Sequence, residues 1–341
     1  MHLLPSYGLS IQEIKDDGFE SLEEIYMSLE GHNHFTMTKS LGVFLSSFVD
    51  VLGRTKPDWL ILAGDRGEQL MGAVAGGYTY TPIAHIQAGE LSGNIDGHAR
   101  HAIGKMSHLH FASNKDAAER LRKLGEEEFR IHMVGAPQLD ELAQGLYTSK
   151  AELEEKYSLN LSKPYLLIMQ HSVTEEYDQA ASQIEATAQA VNQLDVLKIW
   201  IFPNNDAGSE AIRKGIYLNK KGSTHVFANL KREDYLGFLK NAACIVGNSS
   251  SGIIEAPTFQ VPAVNLGRRQ ANRIQGGNVT NASYVVVEIV KAIEKACLVE
   301  FKNSLKGLAN PYGDGFSSAR ILEVLKTTKK DTRLLCKQLT Y

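Results

Sequence analysis

Short apolar runs alternate with amphipathic stretches along almost the whole chain, and this alternation limits the fold more than any other feature. The predicted strands lie at residues 59–63, 82–86, 109–112, 131–134, 165–169, 197–202, 225–228, 244–246, 262–265 and 284–287. The predicted helices lie at residues 68–77, 97–106, 115–124, 175–194, 207–218, 232–242 and 318–329. Strand–helix alternation predicts parallel sheets covered by helices on both faces. We therefore expect an α/β fold with its binding loops at the carboxyl ends of the strands.

The length of 341 residues predicts two domains. A polar, Lys- and Glu-rich segment at 148–161 separates the two halves. We place the boundary near residue 155, giving doubly wound domains over 1–155 and 156–341. The last helix can pack on either domain, including back on the N-terminal one. A single large sheet is the alternative architecture.

Composition excludes several classes of protein. The net charge is −3, with no long block of one sign, which argues against binding to nucleic acid or to a membrane surface. No run of about 18 apolar residues occurs, and the N-terminus lacks the pattern of a signal peptide. Three dispersed cysteines form no CxxC pair, which is typical of a reducing compartment. We expect a cytoplasmic protein.

The first cluster of polar residues follows the strand at 59–63. Gly64-Asp65-Arg66-Gly67-Glu68 places a carboxylate and a guanidinium before a predicted helix. Asp65 is equally suited to cap that helix or to take part in catalysis.

The second cluster, residues 85–101, holds two carboxylates, three histidines and an arginine. Glu90 and Asp96 can act as an acid and a base if a partly desolvated site separates their pKa values. A metal site is the rival interpretation, because His98 and His101 are spaced to share a helix face. No HExxH or similar ligand pattern is present, so we expect most of the histidines to be structural hydrogen-bonding residues.

Two more clusters lie in the second half. His171 follows a predicted strand and is either a phosphate contact or proton shuttle, or part of a helix start. The segment 246–256, Val-Gly-Asn-Ser-Ser-Ser-Gly-Ile-Ile-Glu-Ala, joins a strand to a helix through a Gly/Ser loop typical of a phosphate cradle. It is neither a Walker A loop nor a nucleophile elbow. Glu255 is placed to accept from ribose hydroxyls or is a surface residue, and Arg268 with Arg269 adds positive charge or forms an exposed pair.

Together these segments resemble the UDP-N-acetylglucosamine 2-epimerase family, and specifically its hydrolysing branch, over nearly the whole chain. The residues that carry the resemblance are 64–66, 85–105 with Ser-Gly-Asn-Ile-Asp and Arg-His-Ala-Ile-Gly-Lys, 134–137, 170–171, 202–209, 247–250, 265–270 and 310–315. The family implies a GT-B-like fold, with two Rossmann-like domains facing a cleft and UDP held mainly by the C-terminal domain. It also implies a homo-oligomer, a dimer or a tetramer, that makes sugars for sialic acid-like nonulosonates without a metal or a redox cofactor.

The resemblance implies roles for individual residues. Ser249 and Ser250 would hold the diphosphate, Glu255 the ribose, and His171 the phosphate region. Asp65, Glu90 and Asp96 would be the carboxylates near the sugar, and His171 would join them as a catalytic residue. The further substrate-binding residues that it implies are His2, Arg66, Asn205 and Arg268. The implied reaction removes the C2 proton, expels UDP to give a 2-acetamidoglycal, and adds water with inversion at C2.

The chain departs from the family at two places. The non-hydrolysing branch carries Glu where this chain has Gln87, so Glu90 or Asp96 would have to be the base. Family members begin with a further strand, a Gly-Thr-Arg loop and a helix before the His-Leu motif, whereas this chain opens inside that motif at Met1-His2-Leu3. The resemblance therefore implies that this unit is missing here.

The substrate stays open between UDP-GlcNAc and UDP-N,N′-diacetylbacillosamine. Two other functions are alternatives to the epimerase. One is a GT-B glycosyltransferase that binds UDP in the same way, and the other is an inactive paralogue that binds UDP-sugars. The dense carboxylate segment at 90–96 argues against the glycosyltransferase.

Overall fold

A computed structural model describes residues 2–5, 8–19, 22–30, 33–93 and 95–341. Met1 and Asn94, which belong to the motifs quoted above, lie outside the described residues. The strands are β1 (Leu60–Ala63), β2 (Ile83–Ile86), β3 (Leu109–Ala112), β4 (Ile131–Met133), β5 (Tyr165–Met169), β6 (Leu197–Ile201), β7 (Thr224–Phe227), β8 (Cys244–Gly247), β9 (Ala263–Leu266) and β10 (Val279–Ala282).

The α-helices occupy most of the chain between these strands. They are α1 (Ile11–Asp16), α2 (His34–Thr55), α3 (Gly67–Tyr78), α4 (Ile95–Met106), α5 (Lys115–Lys123), α6 (Asp140–Gln144), α7 (Lys150–Tyr157), α8 (Ala180–Asn192), α9 (Ser209–Leu218), α10 (Arg232–Asn241), α11 (Ser251–Ile254), α12 (Val286–Cys297), α13 (Val299–Ser304), α14 (Ser317–Thr327) and α15 (Thr332–Leu335). Short 3₁₀ helices lie at Glu128–Arg130, Pro137–Leu139 and Thr174–Gln179.

Within the described residues the strands form two sheets, and every strand pair is parallel. One sheet has the order β1-β2-β3-β4 and the other the order β10-β9-β8-β5-β6-β7. The expected α/β fold is therefore confirmed, and the single large sheet is not observed.

One predicted strand is wrong. Residues 284–287 do not pair in a sheet; β10 ends at Ala282 and α12 begins at Val286. The run Tyr-Val-Val-Val has the β-branched composition of a strand, but the apolar residues after it recur at helical spacing. Ile289, Ala292, Ile293 and Ala296 are all buried on one face of α12.

Two helices differ from expectation. The predicted helix at 175–194 is a 3₁₀ turn at Thr174–Gln179 followed by α8. Helix α2 was not predicted; by length and composition it could cross a membrane, with a mean hydropathy of 1.3 and 11% of its apolar stretch buried. A single helix of this kind is a weak indication, because core helices of soluble proteins have the same composition.

The chain divides into two compact units. The six-stranded unit comprises residues 1–22, 31–34 and 145–310, and the four-stranded unit comprises residues 23–30, 35–144 and 311–341. Helix α7, which contains the expected boundary near residue 155, belongs to the six-stranded unit. The last long helix, α14, belongs to the four-stranded unit, where Ile321 packs with Leu109, Phe111 and Val134.

The strand order of the six-stranded sheet defines where a ligand can bind. The chain runs outward from β5 to β6 and β7, then returns to place β8 on the other side of β5. The loops that follow β5 and β8 therefore lead to opposite sides of the sheet. Such a reversal opens a crevice at the carboxyl ends of the two strands, which is the usual ligand site of an open α/β sheet.

Candidate functional site

A cavity of about 320 Å³ lies at this point of the six-stranded unit. Its apolar lining comes from Met169 at the end of β5, Ile201 at the end of β6, and Leu230. The polar lining is made by Glu13, Asn229, Arg232, Tyr235, Ser249, Ser250, Ser251 and Glu255. A mainly preformed cavity with a few convergent polar groups is typical of a small-molecule site.

Gly247 and Asn248 join the loops after β5 and β8. Gly247 has φ of 131°, and a Cβ there would lie 2.0 Å from the carbonyl oxygen of Met169, so only glycine fits. Asn248 is fully buried; its Oδ1 accepts from the His171 N–H at 2.7 Å and its Nδ2 donates to the His171 carbonyl at 2.8 Å. The two loops are therefore held in a fixed register.

The three serines that follow are presented by this junction. The Ser251 N–H donates to Ser249 Oγ at 3.3 Å, and the Ser251 hydroxyl is hydrogen-bonded to the Tyr235 hydroxyl. Ser250 precedes α11, and its side chain makes no capping bond. Ser249 and Ser250 are half-buried and line the cavity. The structure thus brings together the serines that the sequence indicated.

Glu255 lies on the same cavity and has a partner that the sequence did not reveal. Its carboxylate, 8% exposed, contacts Arg232 Nη2 of α10 at 2.5 Å. A buried carboxylate held by a guanidinium keeps a fixed orientation toward the cavity. Across the rim, Asn229 Nδ2 donates to Glu13 Oε1, and partial burial raises the pKa of Glu13, with the carboxylate of Glu233 adding to the rise.

His171 is oriented by the neighbouring loop after β6. Its Nδ1 accepts from the Asn204 N–H at 3.1 Å, so in the neutral ring the proton is on Nε2. Asn205 is half-buried in the same loop. The structure places Arg268 against Glu175 and Glu176, with Arg268 Nη2 3.8 Å from Glu175 Oε2.

Two more predicted residues, one in each unit, have polar partners close to them in the sequence. His2 Nδ1 is hydrogen-bonded to Ser10 Oγ at 2.7 Å. In the four-stranded unit, Arg66 Nε lies 3.6 Å from Glu68 Oε2, and Arg66 is half-buried.

The carboxylates of the four-stranded unit form a second polar cluster at the ends of β1 and β2. Asp65 Oδ2 accepts from Ser92 Oγ at 2.9 Å and is ion-paired with Arg100 Nη2. Arg100 is 2% exposed, and its Nη1 donates to the Gln87 carbonyl at 2.7 Å. The guanidinium therefore joins the loop after β1 to the loop after β2.

Glu90 continues this cluster. Its Oε1 accepts from the Ser113 hydroxyl and from Gln87 Nε2, the latter at 3.3 Å, and the residue is 3% exposed. Gln87 itself has φ of 59°, a left-handed conformation that a non-glycine residue rarely adopts and that often marks a functional site. Asp96 lies half-buried in the first turn of α4.

Three histidines of this unit are hydrogen-bonded within the fold. His85 Nε2 donates to the Gly64 carbonyl at 2.7 Å, and the Ile83 N–H donates to His108 Nδ1 at 3.0 Å. His110 Nε2 donates to Glu126 Oε2 at 2.9 Å. Burial lowers the pKa of His85 to about 3 and that of His108 and His110 to about 4. Among the described residues, no three His, Cys, Asp or Glu side chains are grouped as metal ligands.

Sequence reasoning assigned no role to Arg100, Ser113 or Arg232. Each contacts a candidate carboxylate through the tertiary fold, because 35, 23 and 23 positions separate the pairs Arg100–Asp65, Ser113–Glu90 and Arg232–Glu255. For Arg100 the sequence offered one indication of a role, because it lies in the same segment of polar residues, 85–101, as Glu90 and Asp96.

Comparisons with known proteins identify the family of the chain. The profile of a family described as UDP-N-acetylglucosamine 2-epimerase matches residues 1–326. The chain is 35% identical over 339 residues to the UDP-N,N′-diacetylbacillosamine 2-epimerase (hydrolyzing) of Legionella pneumophila, covering 99% of this chain and 89% of that protein. It is 33% identical over 311 residues to the GDP/UDP-N,N′-diacetylbacillosamine 2-epimerase (hydrolyzing) of Campylobacter jejuni, covering 89% and 79%.

The fold has solved counterparts as well. The crystal structure of the Methanocaldococcus jannaschii UDP-GlcNAc 2-epimerase in complex with UDP-GlcNAc and UDP matches with a TM-score of 0.77 at 19% identity. The match covers 94% of this chain and 88% of that one. At this identity the likeness concerns the fold, and it confirms the expected GT-B-like α/β architecture.

Proposed function

Because the chain belongs to the UDP-N-acetylglucosamine 2-epimerase family, we propose that it is a hydrolysing 2-epimerase of a UDP-linked 2-acetamido sugar. The observation that carries the proposal is the cavity at the reversal of strand order, where Ser249, Ser250 and Glu255 converge. The identity to the Legionella enzyme, whose name includes the hydrolysing reaction, supports this subtype.

The six-stranded unit would hold the nucleotide. Ser249 and Ser250 offer hydroxyl and backbone donors to the diphosphate, and Glu255, fixed by Arg232, accepts from the ribose hydroxyls. When neutral, His171 carries its proton on Nε2 and can donate a hydrogen bond from there to the departing diphosphate. Asn205, Arg268 and His2 remain further proposed substrate contacts.

The carboxylates would carry out the proton transfers at the sugar. A base, Glu90 or Asp96, takes the C2 proton, the C1–O bond breaks, and UDP leaves with the bonding electrons. Water then adds its hydroxyl to C1 and a proton reaches C2 from the opposite face, giving the free 2-epimer. Asp65, ion-paired with Arg100, orients the sugar together with Arg66.

Proton NMR in deuterated water tests this directly. The purified chain is incubated separately with UDP-GlcNAc and with UDP-N,N′-diacetylbacillosamine, without any acceptor. We expect UDP and a free 2-epimer that carries deuterium at C2. Turnover without an acceptor excludes a glycosyltransferase, whereas nucleotide binding without turnover of either sugar would identify the inactive binding protein. The expectations of a cytoplasmic homo-oligomer in nonulosonate synthesis belong to the same proposal.

Ser250→Ala tests the phosphate cradle separately. Loss of one hydrogen bond to a charged group lowers affinity for UDP by about tenfold or more. Ser182→Ala, an exposed serine on α8, is the matched control. Calorimetric titration with UDP measures both, and equal affinities in the two variants would remove Ser250 from the cradle.

A further inference from the structure

The segment 331–341 is held against the four-stranded unit by buried polar contacts that the proposed function does not use. Arg130 is fully buried. Its guanidinium donates to the carbonyls of Leu334 and Arg333, both at 2.8 Å. These two bonds fix the backbone of the segment just before Lys337.

Lys337 extends from this segment to the end of helix α4. Its Nζ donates to the carbonyls of Gly104 at 2.7 Å, Ser107 at 2.9 Å and Lys105 at 3.2 Å. It also forms an ion pair of 2.5 Å with Oε2 of Glu126, which is 3% exposed. The carbonyls that end a helix have no partner within it and carry a partial negative charge, which favours a cation there. The Lys337 ammonium therefore caps α4.

Glu126 joins this cap to the sheet. Its Oε2 accepts from His110 Nε2 of β3 at 2.9 Å, and its Oε1 accepts from Lys105 Nζ at 3.1 Å. His110 lies beside His85 of β2 in the strand register, and both are fully buried. The end of α4 is thus held in place relative to strands β2 and β3.

Helix α4 carries Arg100 one turn before the capped carbonyls. The Arg100 guanidinium is ion-paired with Asp65 and donates to the Gln87 carbonyl at 2.7 Å. Arg100 is 2% exposed, and a closely packed side chain has little room to adjust if its helix moves. A shift of α4 along its axis would therefore displace the Asp65 carboxylate, which the proposed function places at the sugar.

We propose that Lys337 is a positioning residue of the reaction, and that it fixes the Asp65 carboxylate through α4 and Arg100. The inference rests on the proposed function, because it takes Asp65 as a residue that orients the sugar. Misplacement of an orienting group by about 1 Å can cost about 10²-fold in rate. The effect should fall on turnover, because the proposed nucleotide contacts belong to the six-stranded unit.

Turnover and calorimetric titration with UDP test the inference on the full chain. Turnover is measured with UDP-GlcNAc or UDP-N,N′-diacetylbacillosamine, whichever the parent chain uses. Lys337→Met should lower kcat at least tenfold and leave the affinity for UDP within about twofold of the parent value. Lys330→Met removes an exposed ammonium that pairs with Asp58, and it should leave both quantities unchanged.

Ile321→Ala separates positioning from a loss of stability. Ile321 of α14 is 5% exposed in the core of the same unit, and truncation of a buried Ile is strongly destabilising. Assayed at a temperature at which circular dichroism shows both variants folded, Ile321→Ala should keep kcat within about threefold of the parent value. Equal losses of kcat in Lys337→Met and Ile321→Ala would overturn the inference.

A double substitution shows whether Lys337 acts through Asp65. In an Asp65→Asn background the carboxylate that Lys337 positions is already removed, so Lys337→Met should lower kcat less than about threefold further. Independent roles would multiply to a further tenfold loss, and that result would overturn the inference. Parent-like turnover in Lys337→Met would overturn it alone, whereas a parent chain that turns over neither sugar contradicts the proposed function and the inference together.

Discussion

Acidification should destabilise the four-stranded unit through histidines that the fold holds neutral. His108 is 8% exposed, and its Nδ1 accepts from the Ile83 N–H, so it cannot take a proton there without losing that bond. Burial, together with the charge of Arg130, lowers its pKa from 6.5 to about 4. His85 and His110, with pKa values lowered to about 3 and 4, act in the same direction.

The sign of the effect follows from proton linkage. Above pH 6.5 both the folded and the unfolded His108 are neutral, and its full contribution to stability is present. As the pH falls toward 4, His108 binds a proton in the unfolded chain but not in the folded chain, so the free energy of unfolding decreases. At pH 5 this difference amounts to about 2 kcal/mol for His108 alone.

His108→Asn isolates this contribution, since the asparagine Oδ1 can accept the same N–H but does not titrate. Urea unfolding is measured at pH 7.5 and pH 5.0 by the fluorescence of Trp59, which packs in the four-stranded unit. The chain has two tryptophans, so a Trp200→Phe background removes the tryptophan fluorescence of the six-stranded unit. The free energy lost between the two pH values should be about 2 kcal/mol smaller in the variant, a midpoint difference of roughly 1 M urea. His98→Asn, an exposed site on α4, should keep the parent dependence. An unchanged pH dependence in His108→Asn would refute the reasoning.

Two further predictions concern charged residues of the same unit. Asp65→Asn should lower turnover by about 10²-fold while UDP affinity stays constant, because the sugar loses a carboxylate that orients it; the exposed Asp116→Asn is the control, and near-normal turnover would remove Asp65 from the mechanism. Lys337→Met should destabilise the protein by about 2 kcal/mol in urea unfolding, because it removes the more buried of the two lysines paired with the buried Glu126 carboxylate and leaves Lys105 as the remaining cation. Lys330→Met, which removes an exposed pair, should cost less than about 1 kcal/mol, and similar losses in both variants would contradict a special role for Lys337.

The fold was largely predictable because buried parallel strands leave a strong sequence signal. Nine of the ten predicted strands overlap observed ones, since a fully covered strand must be apolar along its whole length. The same rule produced the error at 284–287, where an apolar, β-branched run begins a helix. Local composition cannot distinguish such a helix start from a buried strand. Here residues 279–282 form the strand that pairs with β9, and the run at 284–287 leads into α12 instead.

The candidate site was predictable only in part. The Gly/Ser loop and the carboxylates could be identified because they follow strands directly, and the carboxyl ends of parallel strands lie at one edge of a sheet. Their partners could not, because Arg100, Ser113 and Arg232 reach the carboxylates only after distant segments pack together. Residues 311–341, likewise, join the four-stranded unit from far along the chain.

The junction around Asn248 explains why the Ser250 hydroxyl is not needed to hold its own loop. A loop that leaves a strand at a sharp turn usually needs its own side chains to satisfy its backbone. Here Asn248 bonds the His171 backbone on one side, and its own carbonyl accepts from Gln270 Nε2 at 2.9 Å and from Arg269 Nη1 at 3.2 Å on the other. The loop is thus fixed by a buried residue with no ligand role, and Ser250 keeps a hydroxyl that caps no helix. That arrangement depends on the adjacency of β5 and β8, so the reversal of strand order provides both the crevice and the means of holding the serine loop beside it.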